Sequence, residues 1–225
     1  MKTVFMWNKG WDEIFSTKDW GRYPDLSVVR FILGKTRKRI KKNKIKVLEV
    51  GCGTGANLGF LAKEGFKTYG IDGSKVALEI AKKKLNKEKL QAKLYLGDAM
   101  DLSIFPNKFF DFVIDCECLY ANSTKNTKII LKEINRVLKK KGNFFSKTFA
   151  KGTYGLKGGS LKNQKKIIKK GAFHSGYGLI RLSSVSQIKS LYGKQFSIKS
   201  IEHESRTQNQ QKNHIKEWIL EMVKR

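Results

Sequence analysis

Three glycines and four carboxylates stand in this chain at spacings that suit a nucleoside-like ligand. In the stretch VLEVGCGTGAN, Val47 to Asn57, Gly51, Gly53 and Ala56 satisfy the G-x-G-x-x-G/A pattern of a dinucleotide-binding turn, while Gly55 and Glu49 are features that pattern does not require. Glycines let a backbone come close to a ligand with no Cβ in the way. Asp72, 21 residues after Gly51, is placed to accept hydrogen bonds from both hydroxyls of a ribose. Asp98, in GDAM, can accept from an adenine amino group, and Glu49 and Asp115 add negative charge to the same edge. Such a lining suits a ligand that carries positive charge and repels a pyrophosphate. The glycines and Asp72 alone fit NAD equally well, so a dehydrogenase is the competing reading of the loop.

These residues act together only if the chain brings them to one edge, and the patterning does so. From Ile45 onward, strands IKVLEV, KTYGID, AKLYLGD, FDFVID and NFFSKTFA alternate with helices NLGFLAKEG, SKVALEIAKKKLNKEK and NTKIILKEINRVLKKKG. Ser74 is a helix cap and Gly65 a helix stop. Alternation of this kind implies a parallel sheet covered on both faces, an α/β fold with ligands beyond the carboxyl ends of the strands. Glu49, Asp72, Asp98 and Asp115 occupy or closely follow those ends. Taken singly, each acid is equally a helix cap or a surface turn; the ordered set is the signal.

Around this core the chain reads as one domain in four parts. Residues 1–44 form an aromatic-rich covering segment (Trp7, Trp11, Phe15, Trp20, Tyr23) followed by a helix within LSVVRFILGKTRKRIKKNK; 45–149 form the ligand-binding core; 150–182 form a Gly- and Lys-rich insertion or lid; and 183–225 hold the helix SVSQIKSLYG and a terminal strand pair. The final segment, HIKEWILEMVK, is compatible with either a strand or a short helix.

Composition narrows the class. The 225 residues, 40% apolar, are enough to bury a core. No apolar run reaches membrane-spanning length and the first residues lack a signal-peptide pattern, which predicts a cytoplasmic protein. The three cysteines, Cys52, Cys116 and Cys118, have neither C-x-x-C spacing nor histidines nearby; they predict no metal site and read as small buried hydrophobes. The net charge of +28 could attract nucleic acid, but only eight of the 47 basic residues are Arg. Bidentate phosphate and base recognition favours Arg, so the lysine excess reads as solvated surface.

At this point the chain resembles the class I S-adenosylmethionine-dependent methyltransferases. VLEVGCGTG, YGIDGS, GDAMDL, FDFVIDCECLY and EINRVLKKKGNFF, between about Ile45 and Phe149, follow that family's motifs in order and at ordinary spacing. The resemblance implies a Rossmann-like, doubly wound, seven-stranded, mostly parallel sheet with an antiparallel last strand, and S-adenosylmethionine as cofactor. It implies that Gly51, Gly53 and Gly55 accommodate the methionine end, Asp72 binds the ribose, Asp98 and Ala99 border the adenine, and Asp115 with Cys116 form the floor near the methyl group. Glu49, Cys52, Asn57, Gly73, Ser74 and Met100 belong to the same stretches and join the cofactor-binding set; Tyr23, in WGRYPD, is a further candidate for closing over the cofactor, with stapling of the leading segment to the core as the competing account.

Methyl transfer from a sulfonium is an in-line displacement, so alignment matters more than any universal catalytic residue. DCECLYANS lacks the tetrapeptide of base-amino methylation, and neither of its thiols follows a proline. Candidates for acceptor-side roles are His174, Tyr120 and Glu117, with solvation, packing or capping as competing accounts. The expected activity is methylation of an oxygen or nitrogen of a small, possibly anionic or sugar-like metabolite. Two alternatives stay open: an RNA methyltransferase using the basic surface, and a non-catalytic nucleotide- or nucleic-acid-binding module.

Overall fold

The computed structural model describes residues 10–18, 21–37, 41–154 and 180–225. Strands β1 (Lys46–Val50), β2 (Lys67–Asp72), β3 (Ala92–Leu96), β4 (Phe110–Cys116), β5 (Leu138–Phe149), β6 (Phe196–Gln208) and β7 (Asn213–Lys224) form one sheet in the order β3-β2-β1-β4-β5-β7-β6. The first five strands in that order pair in parallel, and β7 lies antiparallel between β5 and β6. This is the expected seven-stranded, mostly parallel α/β sheet. Among the described residues no helix is long and apolar enough to cross a membrane.

Period-two alternation divides the core between the two faces of the sheet. Leu48, Val50, Val113 and Phe144 point to one side, where Ile130, Leu131 and Ile134 of α5 (Thr124–Val137) and Ile188 and Tyr192 of α6 (Val185–Tyr192) pack on them. Val47, Phe112, Ile114 and Phe145 point to the other, against Val28, Phe31 and Ile32 of α2 (Leu26–Thr36) and Leu61 of α3 (Ala56–Lys63). Caps fix where the helices begin: Asp25 accepts from Ser27 N ahead of α2, and Ser74 from Ala77 N ahead of α4 (Lys75–Lys87).

Three segments correct or complete the sequence reading. The helix expected to run through KKKG stops at Val137, because Leu138 already pairs with Phe110 and the strand then bends at Lys141, whose φ is 61°. Gly142 permits that bend, since a Cβ there would sit 2.9 Å from the Lys139 carbonyl oxygen. HIKEWILEMVK is a strand, held on both edges by β5 and β6. Within the leading segment, Gly10–Thr17 forms a short helix, α1, which packs against α4.

Candidate functional site

Parallel pairing sets the site. Val50 pairs with Ile71 on one side and Asp115 on the other, and Asp72 pairs with Leu96, so the strand ends that carry the acids stand abreast. The chain leaving β1 must then turn sharply. Gly51, Gly53 and Gly55 adopt φ of 66°, 50° and 80°, a region L-residues rarely enter. Space reinforces the requirement at Gly51, where a Cβ would collide with the Cys118 side chain, and at Gly55, where it would lie 2.9 Å from the Ala81 methyl.

Asp72 anchors this loop. Its two oxygens accept from Gly53 N at 2.7 Å and Ser74 N at 2.8 Å, tying β2 to the glycine turn. Burial raises its pKa despite these bonds, and Asp12 adds to the rise. Asp12 reaches the site from α1 and accepts from Ser74 Oγ, so the short helix is pinned across the loop. Trp11 and Phe15 of that helix line two adjoining cavities, which also share Gly51 and Glu117.

The first cavity contains Asp72, Gly73, Asp98 and Ala99, the positions assigned to ribose and adenine. Asp98 holds its own turn through Met100 N at 2.9 Å. The second contains Glu49, Cys52, Gly53, Gly55, Asn57, Cys116 and Tyr120, with Tyr23, 87% exposed, at its rim. Glu49 is buried there; Asn57 Nδ2 donates to its Oε1 at 2.6 Å, and Oε2 has no hydrogen-bond partner among the described residues. Burial pushes the Glu49 carboxyl up to about 8, against the pull of Asn57. An orphaned, buried carboxylate oxygen beside a glycine cradle fits a ligand that brings an ammonium.

Not every expected residue lines these spaces. Asp115 is fully buried outside both linings: Oδ1 accepts from Cys118 N and Leu119 N, and Oδ2 from Ser146 Oγ, which meets Tyr192 Oη at 3.1 Å. Burial raises it to about 6. It shapes the site by holding the turn that carries Glu117 and Cys118. Ser74 is buried as the α4 cap, and Met100 packs against the main core. His174 lies outside the described residues.

The structure also brings in groups that sequence spacing did not reveal. Lys147, near the end of β5 and buried, donates to Asp25 at 2.8 Å, with Glu217 at 3.5 Å and Glu117 and Glu204 each at 3.8 Å. A lysine inside the apolar run NFFSKTFA was the available signal. Its partners lie as far as 122 positions away, beyond the reach of any local pattern. Glu117 itself sits in the left-handed region, φ 59°, at the junction of the two cavities.

Residues 47–142 match the family model of a methyltransferase domain. Over 101 residues the chain is 37% identical to a putative methyltransferase, YqeM, of Bacillus subtilis, covering 44% of this chain and 40% of that protein. It is 29% identical over 142 residues to malonyl-[acyl-carrier protein] O-methyltransferase of Priestia megaterium, covering 61% and 49%. The chain thus spans about half or less of the length of these curated relatives. The fold is shared with the PH0226 protein of Pyrococcus horikoshii (TM-score 0.69, 19% identity, 88% of each chain). It is also shared with magnesium protoporphyrin IX methyltransferase of Synechocystis, crystallised with bound S-adenosylmethionine (TM-score 0.63, 17% identity, 96% of this chain and 80% of that one).

Proposed function

We propose that this chain, whose residues 47–142 match the model of a methyltransferase domain, is a class I S-adenosylmethionine-dependent methyltransferase and that it methylates an oxygen or nitrogen atom of a small metabolite. One observation carries the reading. In a chain of net charge +28, the described walls of the two joined cavities hold five carboxylates, Asp25, Glu49, Asp72, Asp98 and Glu117, against one cation, Lys18. A pyrophosphate would be repelled by such walls, whereas a cationic, phosphate-free nucleoside is matched by them. The same charge turns the acceptor expectation away from anionic metabolites and toward neutral or cationic ones.

The residues divide the work by position. When bound, the cofactor supplies an electrophilic methyl group on a sulfonium. Glu49, through its unpartnered oxygen, would hold an α-ammonium; Asp72 would receive ribose hydroxyls from a carboxylate already fixed by two backbone N–H groups; Asp98 and Ala99 would border the base. Trp11 and Phe15 cover the cleft and exclude water. Asp115 keeps Glu117 and Cys118 in place at the junction where an acceptor would meet the cofactor.

The test is thermal. S-adenosylmethionine and S-adenosylhomocysteine raise the melting temperature of the protein and NAD does not; Asp72→Ala removes most of that rise. A melting temperature unmoved by S-adenosylmethionine, or raised equally by NAD, refutes the reading.

A further inference from the structure

Resting on the methyltransferase reading above, we infer that Asp25 and Asn57 are positioning residues for the ammonium of the cofactor: the Asp25 backbone N–H fixes which end of the Asn57 amide faces Glu49. The observation is a directed chain of hydrogen bonds across four elements. Lys147 Nζ of β5 donates to Asp25 Oδ2 at 2.8 Å, and Ser27 N of α2 donates to Asp25 Oδ1 at 2.8 Å. Asp25 N donates to Asn57 Oδ1 at 2.9 Å, and Asn57 Nδ2, in the first turn of α3, donates to Glu49 Oε1 of β1 at 2.6 Å. Glu49 Oε2 is the oxygen that the reading above gives to the ligand. Asp25, Asn57 and Glu49 all line the second cavity.

Direction makes the chain informative. A side-chain amide can present either its oxygen or its NH2 to a neighbour, whereas a backbone N–H can only donate. Turned over, the Asn57 amide would set its NH2 against the Asp25 N–H and its oxygen against the Glu49 carboxylate, two donors together and two acceptors together. The Asp25 N–H therefore selects the orientation in which Asn57 donates to Glu49, and that donation favours the ionised carboxylate. Burial raises the Glu49 pKa, and the charges of Asp72, Asp115 and Asp25 raise it further. Asn57 works against both, toward the form that a cation needs. The Asp25 N–H is itself held in place, because Lys147 and Ser27 each grip one oxygen of the side chain that follows it.

A purely structural role for Asp25 and Asn57 would be to tie α2 to α3, and its loss would weaken every ligand of the cleft alike. A positioning role is selective. S-adenosylhomocysteine carries an ammonium and depends on the ionisation of Glu49; 5′-methylthioadenosine, a matching nucleoside thioether without the amino acid, does not. The charged groups that face Glu49 are Asp72 of β2, Asp115 of β4, Asp25 ahead of α2 and, across the cavity, Glu117 and Lys18.

Both ligands are titrated calorimetrically into the full chain at pH values up to and just beyond about 8, where Glu49 titrates. In the wild type S-adenosylhomocysteine binds more tightly as pH rises toward about 8, and 5′-methylthioadenosine binds equally throughout. Asn57→Leu removes the donor, which raises the Glu49 pKa further, so ionisation then needs a higher pH. Its affinity for S-adenosylhomocysteine falls by about tenfold, the worth of a hydrogen bond to a charged group, and the rise with pH moves upward by about one unit. 5′-Methylthioadenosine loses much less. Asp25→Ala and Asp25→Pro lose the same carboxylate, and the φ of −64° at Asp25 already suits a proline ring, so at the backbone the two differ in the N–H alone. The preference for S-adenosylhomocysteine over 5′-methylthioadenosine is therefore several-fold smaller in Asp25→Pro than in Asp25→Ala. Equal losses of both ligands, an unmoved pH dependence in Asn57→Leu, or the same preference in Asp25→Pro and Asp25→Ala overturns the inference. Should Asn57→Leu or Asp25→Pro not fold, the other carries the test. A wild-type protein that binds both ligands alike at every pH refutes the positioning role, and one that binds neither refutes the function beneath it.

Discussion

Asn57 Nδ2 reaches one oxygen of Glu49 at 2.6 Å and leaves the other, equally buried, with no partner among the described residues. The pair holds the first turn of α3 against the end of β1, while burial makes Glu49 sensitive to pH. Its folded-state pKa, raised by burial to about 8, lies above the ordinary value of 4.5. Stability that depends on the neutral form is complete below the ordinary value and is lost as pH rises through about 8. The melting temperature of the ligand-free protein therefore falls between about pH 5 and pH 8, and Glu49→Gln flattens the fall. A cationic ligand favours the ionised form, so the affinity for S-adenosylmethionine climbs over the same range in the wild type and stays level in Glu49→Gln. Calorimetric titrations at three pH values check both trends.

Lys147 lies within 4 Å of four carboxylates, those of Asp25, Glu117, Glu204 and Glu217. Lys147→Met keeps the length of the side chain and strands the buried acids, at a cost of about 3–5 kcal/mol of folding stability. Urea denaturation at pH 7 measures the loss. Repeated at pH 5, where more of the carboxyls are protonated, it shows a smaller one.

Gly51 has two reasons to be glycine, its φ of 66° and the Cys118 side chain against which a Cβ would press. The left-handed backbone alone costs an alanine about 1–2 kcal/mol. Gly51→Ala loses more than that, and Cys118→Gly in the same chain, which removes both side-chain atoms the new methyl would meet, restores part of the difference without reaching wild type. A double-mutant cycle on melting temperature separates the collision from the backbone strain.

Asp12 pins α1 over the glycine loop through Ser74 Oγ. Asp12→Ala releases that pin while leaving Asp72 bonded to Gly53 and Ser74 by their backbones. Cofactor then dissociates several-fold faster, read by stopped-flow fluorescence of the tryptophans, with little change in melting temperature. A dissociation rate equal to wild type shows that α1 does not hold the ligand.

The core was legible because its signals are local. Glycines at 51, 53 and 55, the acid ending β2, and the period of each strand and helix all lie within a few residues of the structures they specify. Where the reading missed, the causes are physical. KKKG has the composition of a helix end, yet Leu138 was already committed to Phe110 across the sheet. HIKEWILEMVK is the strand that the terminal-pair reading offered; its alternation is blurred, leaving a short helix open, because both of its faces are packed and a charged Glu217 sits inside. Eight residues of α1 are too few to show a period. Asp115 stood at the right strand end, but which way its carboxylate turns depends on Ser146, 31 positions on. The Lys147 cluster joins five separate parts of the chain and has no sequence signature beyond a misplaced lysine.

Trp11 and Phe15 form part of the wall of both cavities. Two ligands that lean on the same pair of rings cannot bind independently: whatever one does to the position of α1, the other feels. Linkage then demands reciprocity, so the factor by which cofactor tightens or weakens acceptor binding equals the factor by which acceptor alters cofactor binding. A helix of eight residues would thus turn two neighbouring cavities into a single cooperative unit.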